Sequence, residues 1–398
     1  MKKQFGIPKG FVFSAVKSGL KASGNLDLAL AEAPLGATAA AMFTKNRVVA
    51  APVTLGRENL KRTRGRLRAV LVNAGNANCG TGASGYAAAQ STCEATAALL
   101  TVAPEFVLPS STGVIGVPLP IEKVQVALPS LVSERASTPE AVMQFARAIM
   151  TTDTRPKLAS AEIVVGRNTV TVLGIAKGSG MIHPNMATML VYLFTDADIA
   201  PAALNSVLKS AVDNSFNRIS VDGDTSTNDT VAILASGLGA KIAAGASVQR
   251  FSTAVHDVCA SLAHQIVSDG EGVKHVVRLS VEGAASAKHA DQIARTIAHS
   301  LLVKTAWAGA DPNWGRILAA VGRSNVAVDP ADVSIYIGDQ QVCAKGQAVK
   351  FNAKSVHKLM LKPEYTIKVC VGSGGGTTEL LTCDLTTDYV HINADYST

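Results

Sequence analysis

Strands alternating with helices along the whole chain, with no internal repeat and no low-complexity linker, predict an α/β (α+β) fold of layered sheets with helices. Three observations carry this expectation. Short apolar runs such as Leu67-Arg-Ala-Val-Leu-Val72 and Met189-Leu-Val-Tyr-Leu-Phe194 have the length and composition of buried strands. Helical periodicity falls between such runs, over 120–134, 139–150 and 247–268. Hydrophobic residues make up 47% of the 398, which is enough for two or more layered lobes and too many for a disordered chain.

Composition also narrows the function classes. There is no run of eighteen apolar residues, so no membrane span is expected. The start, Met1-Lys-Lys-Gln-Phe-Gly-Ile-Pro8, is basic but has no apolar stretch behind it, and no secretory signal is expected. Cys79, Cys93, Cys259, Cys343, Cys370 and Cys383 form no Cys-x-x-Cys pair, which suits reduced thiols in a cytoplasmic protein. The eight histidines lack metal-binding spacing, so neither a metal nor another cofactor is expected. The net charge is +7, and its densest basic stretch runs from Arg57 to Arg68 without an interleaved aromatic residue. A solvated helix end explains that stretch, and nucleic acid is not an expected partner. A basic surface can still draw in acidic metabolites.

From the N-terminus, Phe11-Val-Phe13 and Leu26-Asp-Leu-Ala-Leu30 read as strands between small polar turns. The strand at Leu67–Val72 opens into a polar loop, 73–85, and an alanine-rich helix follows through about Leu100. Gly80-Thr-Gly-Ala-Ser-Gly85 fits the dinucleotide pattern G-x-G-x-x-G, with Glu105 about twenty residues on. Seven residues separate the strand from Gly80, however, where the fingerprint needs a tight turn. A polar loop helping to build a substrate cavity is the preferred reading. Phe106–Gly116 is a strand running into a turn, and Pro139 suits a first helical position. Helix 139–150 stops at Thr151-Thr-Asp-Thr154, and strands follow at 161–166 and 169–176.

Next comes Lys177-Gly-Ser-Gly-Met-Ile-His-Pro-Asn-Met-Ala-Thr-Met-Leu190, a glycine-rich turn leading through Pro184 into an apolar strand. Such a loop can hold the Thr188 hydroxyl at the mouth of a buried strand. A threonine hydroxyl needs an adjacent base, and its own α-amino group can serve once the Ala187–Thr188 bond is cut, with a pKa of about 8. Taken on composition alone, the preferred reading of the segment is a β-turn entering a core strand, with Thr188 capping it. Beyond it, Asp198 and Pro201 open a helix through about Phe216. Residues 220–230 are dense in short oxygen-bearing side chains, but Ala232 stands near where a calcium loop needs glutamate. Pocket lining or Asx-turns explain the run better. Helix 247–268 leads to Ser268-Asp-Gly-Glu-Gly272, where the default reading of Glu271 is an exposed turn residue. Strand 274–283, helix 289–300 and a helix from Asp311-Pro-Asn-Trp-Gly-Arg316 follow. After 330 the expectation is strand, helix, strand and hairpin, with Gly372-Ser-Gly-Gly-Gly376 as its turn.

The fourteen residues 177–190 resemble, without a gap, the self-cleavage segment of the ornithine acetyltransferase family, the bifunctional glutamate N-acetyltransferases of arginine biosynthesis. The stretches Asn73–Asn78, Ser226–Thr230, Asp311–Arg316 and the C-terminal tail are also similar to that family. The resemblance implies an N-terminal-threonine-nucleophile architecture. In that architecture the chain cuts itself into 1–187 and 188–398, which stay intertwined as an α2β2 heterotetramer. It further implies that Thr188 carries the acetyl group from N2-acetylornithine to glutamate. Use of acetyl-CoA as a second donor is left open. Thr112 and Gly113 match the oxyanion-hole pair. Thr151 or Thr152, Lys177, Thr188, Glu271, Asn393 and Thr398 match substrate contacts, and His183 is a second conceivable base. Two other classes are kept: an N-terminal-nucleophile amidohydrolase or aminopeptidase, and a non-catalytic nucleotide-binding protein built on the Gly80–Gly85 loop.

Overall fold

The computed structural model describes residues 5–183, 189–243 and 245–395. They form two compact units. The first holds the described residues up to Asn217 together with Asp224–Ile266, and the second holds Arg218–Gly223 and the described residues from Val267 onward. The 187/188 division therefore falls inside the first unit and does not separate the two.

In chain order the first unit contains β1 (Val12–Val16), β2 (Leu28–Phe43), α1 (Ala51–Arg62), β3 (Arg66–Asn76), α2 (Gly82–Leu100), β4 (Val107–Val114), α3 (Ile121–Ser133) and α4 (Pro139–Ala148). It continues with β5 (Lys157–Val165), β6 (Asn168–Lys177), β7 (Leu190–Thr195), β8 (Asp198–Ile199), α5 (Pro201–Asp213), β9 (Thr230–Ala235), β10 (Lys241–Ile242) and α6 (Ala246–Ser268). The main sheet has the order β4-β3-β2-β9-β7-β6-β5, with β1 added on β2. Within it β3/β4 and β7/β9 are parallel, and the other pairs are antiparallel.

Period-two alternation explains the layering. Ala29, Ala31, Val70 and Val72 enter one core cluster, while Leu28, Leu30, Ala69 and Leu71 enter another on the opposite face. The first cluster is built on Phe11, Phe13, Phe145, Tyr192 and Phe194, whose rings meet edge to face at 5.1–6.4 Å. Helix α4 supplies Phe145 and starts as its sequence predicts, with Pro139 in the first turn and the Thr138 Oγ1 accepting from Ala141 N. The second cluster is covered by α2 and α3 through Cys93, Ala97, Val124 and Leu128.

The second unit contains β11 (Val276–Ala284), α7 (Ala287–Ala298), α8 (Leu301–Ala308), α9 (Trp314–Gly322), β12 (Ser334–Ile337), β13 (Gln340–Ala344), β14 (Gln347–Ala348), α10 (Ala353–Met360), β15 (Glu364–Cys370), β16 (Gly376–Cys383) and α11 (Thr387–Asp395). Its sheet runs β14-β13-β12-β15-β11-β16. Val277, Leu279 and Val281 on β11 share a core with Ile293, Ile297 and Trp307, and Trp314 packs partly buried against it.

Several expectations need correction. Strand β3 runs on to Asn76 because its tail pairs with β4, and Gly82 and Gly85 lie within α2 rather than in the loop. Strand β5 starts at Lys157, pairing with Ala176. Asp198 belongs to a two-residue strand paired with Lys241, and Phe216 lies beyond α5 in a 3-10 turn. Residues 372–376 do not turn a hairpin, because β11 lies between β15 and β16. The glycines let the chain cross the end of β11: a Cβ on Gly374 would lie 2.3 Å from Ala284 O.

The aromatic cluster gives a stability test. Phe194→Ala should lower the free energy of unfolding by about 3–5 kcal/mol, whereas Val126→Ala, at 81% exposure, should stay within about 0.5 kcal/mol. Chemical denaturation of the two variants compares them directly.

Candidate active site

At one end of the first unit's sheet, β3 and β4 run out in parallel with a register shift at Gly75–Asn76. Opposite that shift is Gly113, at φ +131°, where a Cβ would lie 2.4 Å from the carbonyl carbon of Gly75. Only glycine fits there. The neighbouring Thr112 is buried, and its Oγ1 accepts from Lys177 Nζ at 3.2 Å. Lys177 is the last residue of β6, paired with Leu190 of β7, so a strand end rather than the glycine-rich turn aims its ammonium.

Asp153 organises the adjoining segments. Its Oδ1 accepts from Lys157 Nζ at 2.6 Å and from Gly178 N at 2.7 Å, and its Oδ2 accepts from Thr151 N at 3.1 Å. Both side chains of the Asp153–Lys157 pair are wholly buried. Burial alone would raise the Asp153 pKa. The charges of Lys177 and Lys157 and the Gly178 N–H bond more than offset that and hold it below the usual carboxylate range. Lys21 shares this field. Burial pushes it down to about 8, Asp27 opposes the shift, Lys177 reinforces it and Asp153 opposes it. Its Nζ donates to Leu26 O and to Ala148 O at the end of α4.

The polar stretches at the strand ends are tied to backbone. Asn73 Nδ2 donates to Asn76 O, Asn76 Nδ2 to Val117 O and Pro118 O, and Asn78 Nδ2 to Gly85 O. Asn228 Nδ2 donates to Ala77 O at 2.7 Å and Ser111 O at 2.9 Å, pinning the loop before β9 to the ends of β3 and β4. A Cβ on Gly85 would lie 1.9 Å from Thr81 Oγ1, so packing explains that glycine without a phosphate. Among the described residues, no group of three or more His, Cys, Asp and Glu is placed to hold a metal ion. No helix among them is long and apolar enough to cross a membrane.

In the second unit, Glu271 Oε2 accepts from Asn393 Nδ2 at 2.7 Å. Glu271 is only 9% exposed, unlike an ordinary turn glutamate. Helix α11 packs over this turn, where Gly272 has φ +68° and a Cβ on it would lie 2.5 Å from Tyr389 N. Thr386 Oγ1 also donates to Gly272 O. The end of the chain is thus a docked helix through Asp395.

The structure brings Thr112, Gly113 and Lys177 together, ties Thr151 to them through Asp153, and pairs Glu271 with Asn393. Thr152 and His183 are half-buried, and the geometry does not choose between Thr151 and Thr152. Ala187, Thr188 and Thr398 lie outside the described residues. Sequence reasoning missed Asp153, Lys157 and Lys21; the one available signal was Asp153 inside the Thr151–Thr154 cluster.

Residues 12–398 match the ArgJ family. The arginine biosynthesis bifunctional protein ArgJ of Methylococcus capsulatus is 47% identical over 399 residues, covering 99% of this chain and 95% of that protein. The protein of the same name from Chlorobaculum tepidum is 44% identical over 391 residues, covering 98% of this chain and 96% of its own. Among solved structures, the arginine biosynthesis bifunctional protein from Bacillus halodurans is 39% identical with a TM-score of 0.49, covering 52% of this chain and 98% of that chain. The ornithine acetyltransferase of Mycobacterium tuberculosis, complexed with ornithine, is 39% identical with a TM-score of 0.40, covering 44% of this chain and 92% of that chain.

Asp153 has a depressed folded-state pKa, so the stability it contributes is complete above its unfolded value of about 3.9 and is lost as pH falls through the lower folded value. Asp153→Asn should therefore cost about 3 kcal/mol near neutral pH, and the deficit should shrink steadily below about pH 4. Urea midpoints of both proteins across that range check the sign.

Proposed function

The chain belongs to the ArgJ family, and from that membership and the Lys177–Thr112–Gly113 cluster we propose a self-processing acetyltransferase of arginine biosynthesis. It moves the acetyl group of N2-acetylornithine to glutamate through an acetyl-Thr188 intermediate. In maturation the Thr188 hydroxyl attacks the Ala187 carbonyl, the chain shifts from amide to ester, and water releases the new N-terminus. In turnover the freed α-amine of Thr188 takes the hydroxyl proton as the oxygen attacks the acetyl carbonyl. Ornithine leaves with a proton on its amine. The glutamate amine then takes the acetyl group, and the threonine hydroxyl is restored.

One observation carries this reading: the Lys177 ammonium donates to Thr112 Oγ1. A hydroxyl that accepts from an ammonium keeps its own hydrogen for another acceptor and is polarised into a stronger donor. Beside it, the strained Gly113 backbone is suited to present an N–H, and together the two make an oxyanion hole. Removing one such donor typically costs about 3 kcal/mol in barrier. The Glu271 carboxylate, oriented by Asn393, suits the ammonium of an amino-acid substrate. Thr151 or Thr152, Lys177 and Thr398 complete the substrate contacts. The fragments 1–187 and 188–398 remain together as an α2β2 heterotetramer in the cytoplasm. Glutamate, N2-acetylornithine and, as a second donor, acetyl-CoA are the small molecules to test, and no cofactor takes part.

Intact mass decides the maturation step. Wild type should separate on denaturation into two chains, the second beginning at Thr188, while Thr188→Ala should remain one inactive chain. Mixing wild type with N2-acetylornithine alone should add one acetyl group to the 188–398 chain, and double-reciprocal plots with glutamate should be parallel. An uncut yet fully active wild type would overturn the proposal. Release of acetate at the full rate without glutamate would favour the hydrolase alternative.

A further inference from the structure

We propose that Asp229 is a positioning residue for the nucleophile, acting through the backbone amide of Met189; the proposal rests on the Thr188 reading above. Asp229 precedes β9, is wholly buried, and has no part in the steps already described. Its Oδ1 accepts from Met189 N at 3.1 Å. The other polar group of the same residue is held too, because Met189 O accepts from Thr230 N at 3.2 Å. Residues 229 and 230 therefore grip both ends of the Met189 backbone, and the Met189 residue is 1% exposed.

Covalent geometry makes that grip matter. Met189 N is bonded directly to the carbonyl carbon of residue 188, at about 1.33 Å through a planar unit. An N-terminal residue is joined to the protein by that single peptide bond. Fixing Met189 N therefore leaves only the rotations of residue 188 itself to aim its hydroxyl.

The chemistry of the side chain agrees with a holding role. Burial pushes the Asp229 pKa well above the carboxylate range, opposed by the Met189 N–H bond, Thr44, the Lys177 charge and Ser226. The carboxyl offers one oxygen to the Met189 amide. Asparagine has the same shape and offers the same oxygen, whereas alanine offers none.

Two readouts test this. Asp229→Ala should lower both self-cleavage rate and kcat by about 30–100-fold, with the KM for acetylornithine held within about threefold, as expected for a misplacement near 1 Å. Asp229→Asn should restore kcat to within about threefold of wild type. Hydrogen exchange of the peptide containing Met189–Val191 should speed up in Asp229→Ala and stay slow in Asp229→Asn. The exchange readout does not depend on the chemistry. If Thr188→Ala disproves the nucleophile, the exchange pattern still reports whether Asp229 holds the amide. If Asp229→Ala does not fold, Asp229→Ser, whose hydroxyl is too short for the amide, replaces it. Wild-type kcat in the alanine or serine variant, unchanged exchange, or an asparagine variant as impaired as alanine would each overturn the proposal.

Discussion

The buried carboxylate of Asp153 is the interaction on which the candidate site depends. It has to be charged, because it neutralises the wholly buried Lys157 and faces Lys177, and an unpaired ammonium at that depth would cost several kcal/mol. Once charged, it draws Gly178 N and Thr151 N to its two oxygens. One side chain thereby sets the exit of β6, the polar cluster after α4 and the field around the Lys177 ammonium. The Thr112 hydroxyl takes its orientation from that ammonium.

Much of the fold was legible because its signals are local. The β7 run is apolar from Leu190 to Phe194, since the strand is buried on both faces. Pro139 and Thr138 mark the start of α4 by themselves. The failures have a common physical cause, which is that the deciding partner is distant in sequence. Gly372–Gly376 looks like a hairpin turn until β11, about ninety residues earlier, is placed between the strands it joins. Strands of two residues, such as Asp198–Ile199, carry no periodicity at all.

The candidate site divides in the same way. Resemblance marks Thr112, Gly113 and Lys177, and the structure gives a physical reason for two of them: a backbone clash that only glycine escapes, and a strand end that aims an ammonium. Glu271 read as an ordinary turn glutamate because what buries it is a helix more than a hundred residues later. Asp153 and Asp229 were passed over inside polar clusters. Their burial is tertiary, and in sequence they resemble any aspartate of a loop.

Strand order has a consequence for how the protein can come apart. In the first unit β7 and β9 lie between β2 and β6, each interface formed along six paired positions. A break after Ala187 would assign β2 and β6 to one piece and the two strands between them to the other. Neither piece could then close its sheet alone. Unfolding would change molecularity, from a one-chain transition to a dissociation whose midpoint rises with protein concentration. Refolding would require two separate chains to find each other and interleave. The uncut chain has no such encounter to make, so a chain that cuts itself would assemble its sheet before scission. Such a break would turn the fold into one kept by the slowness of its loss.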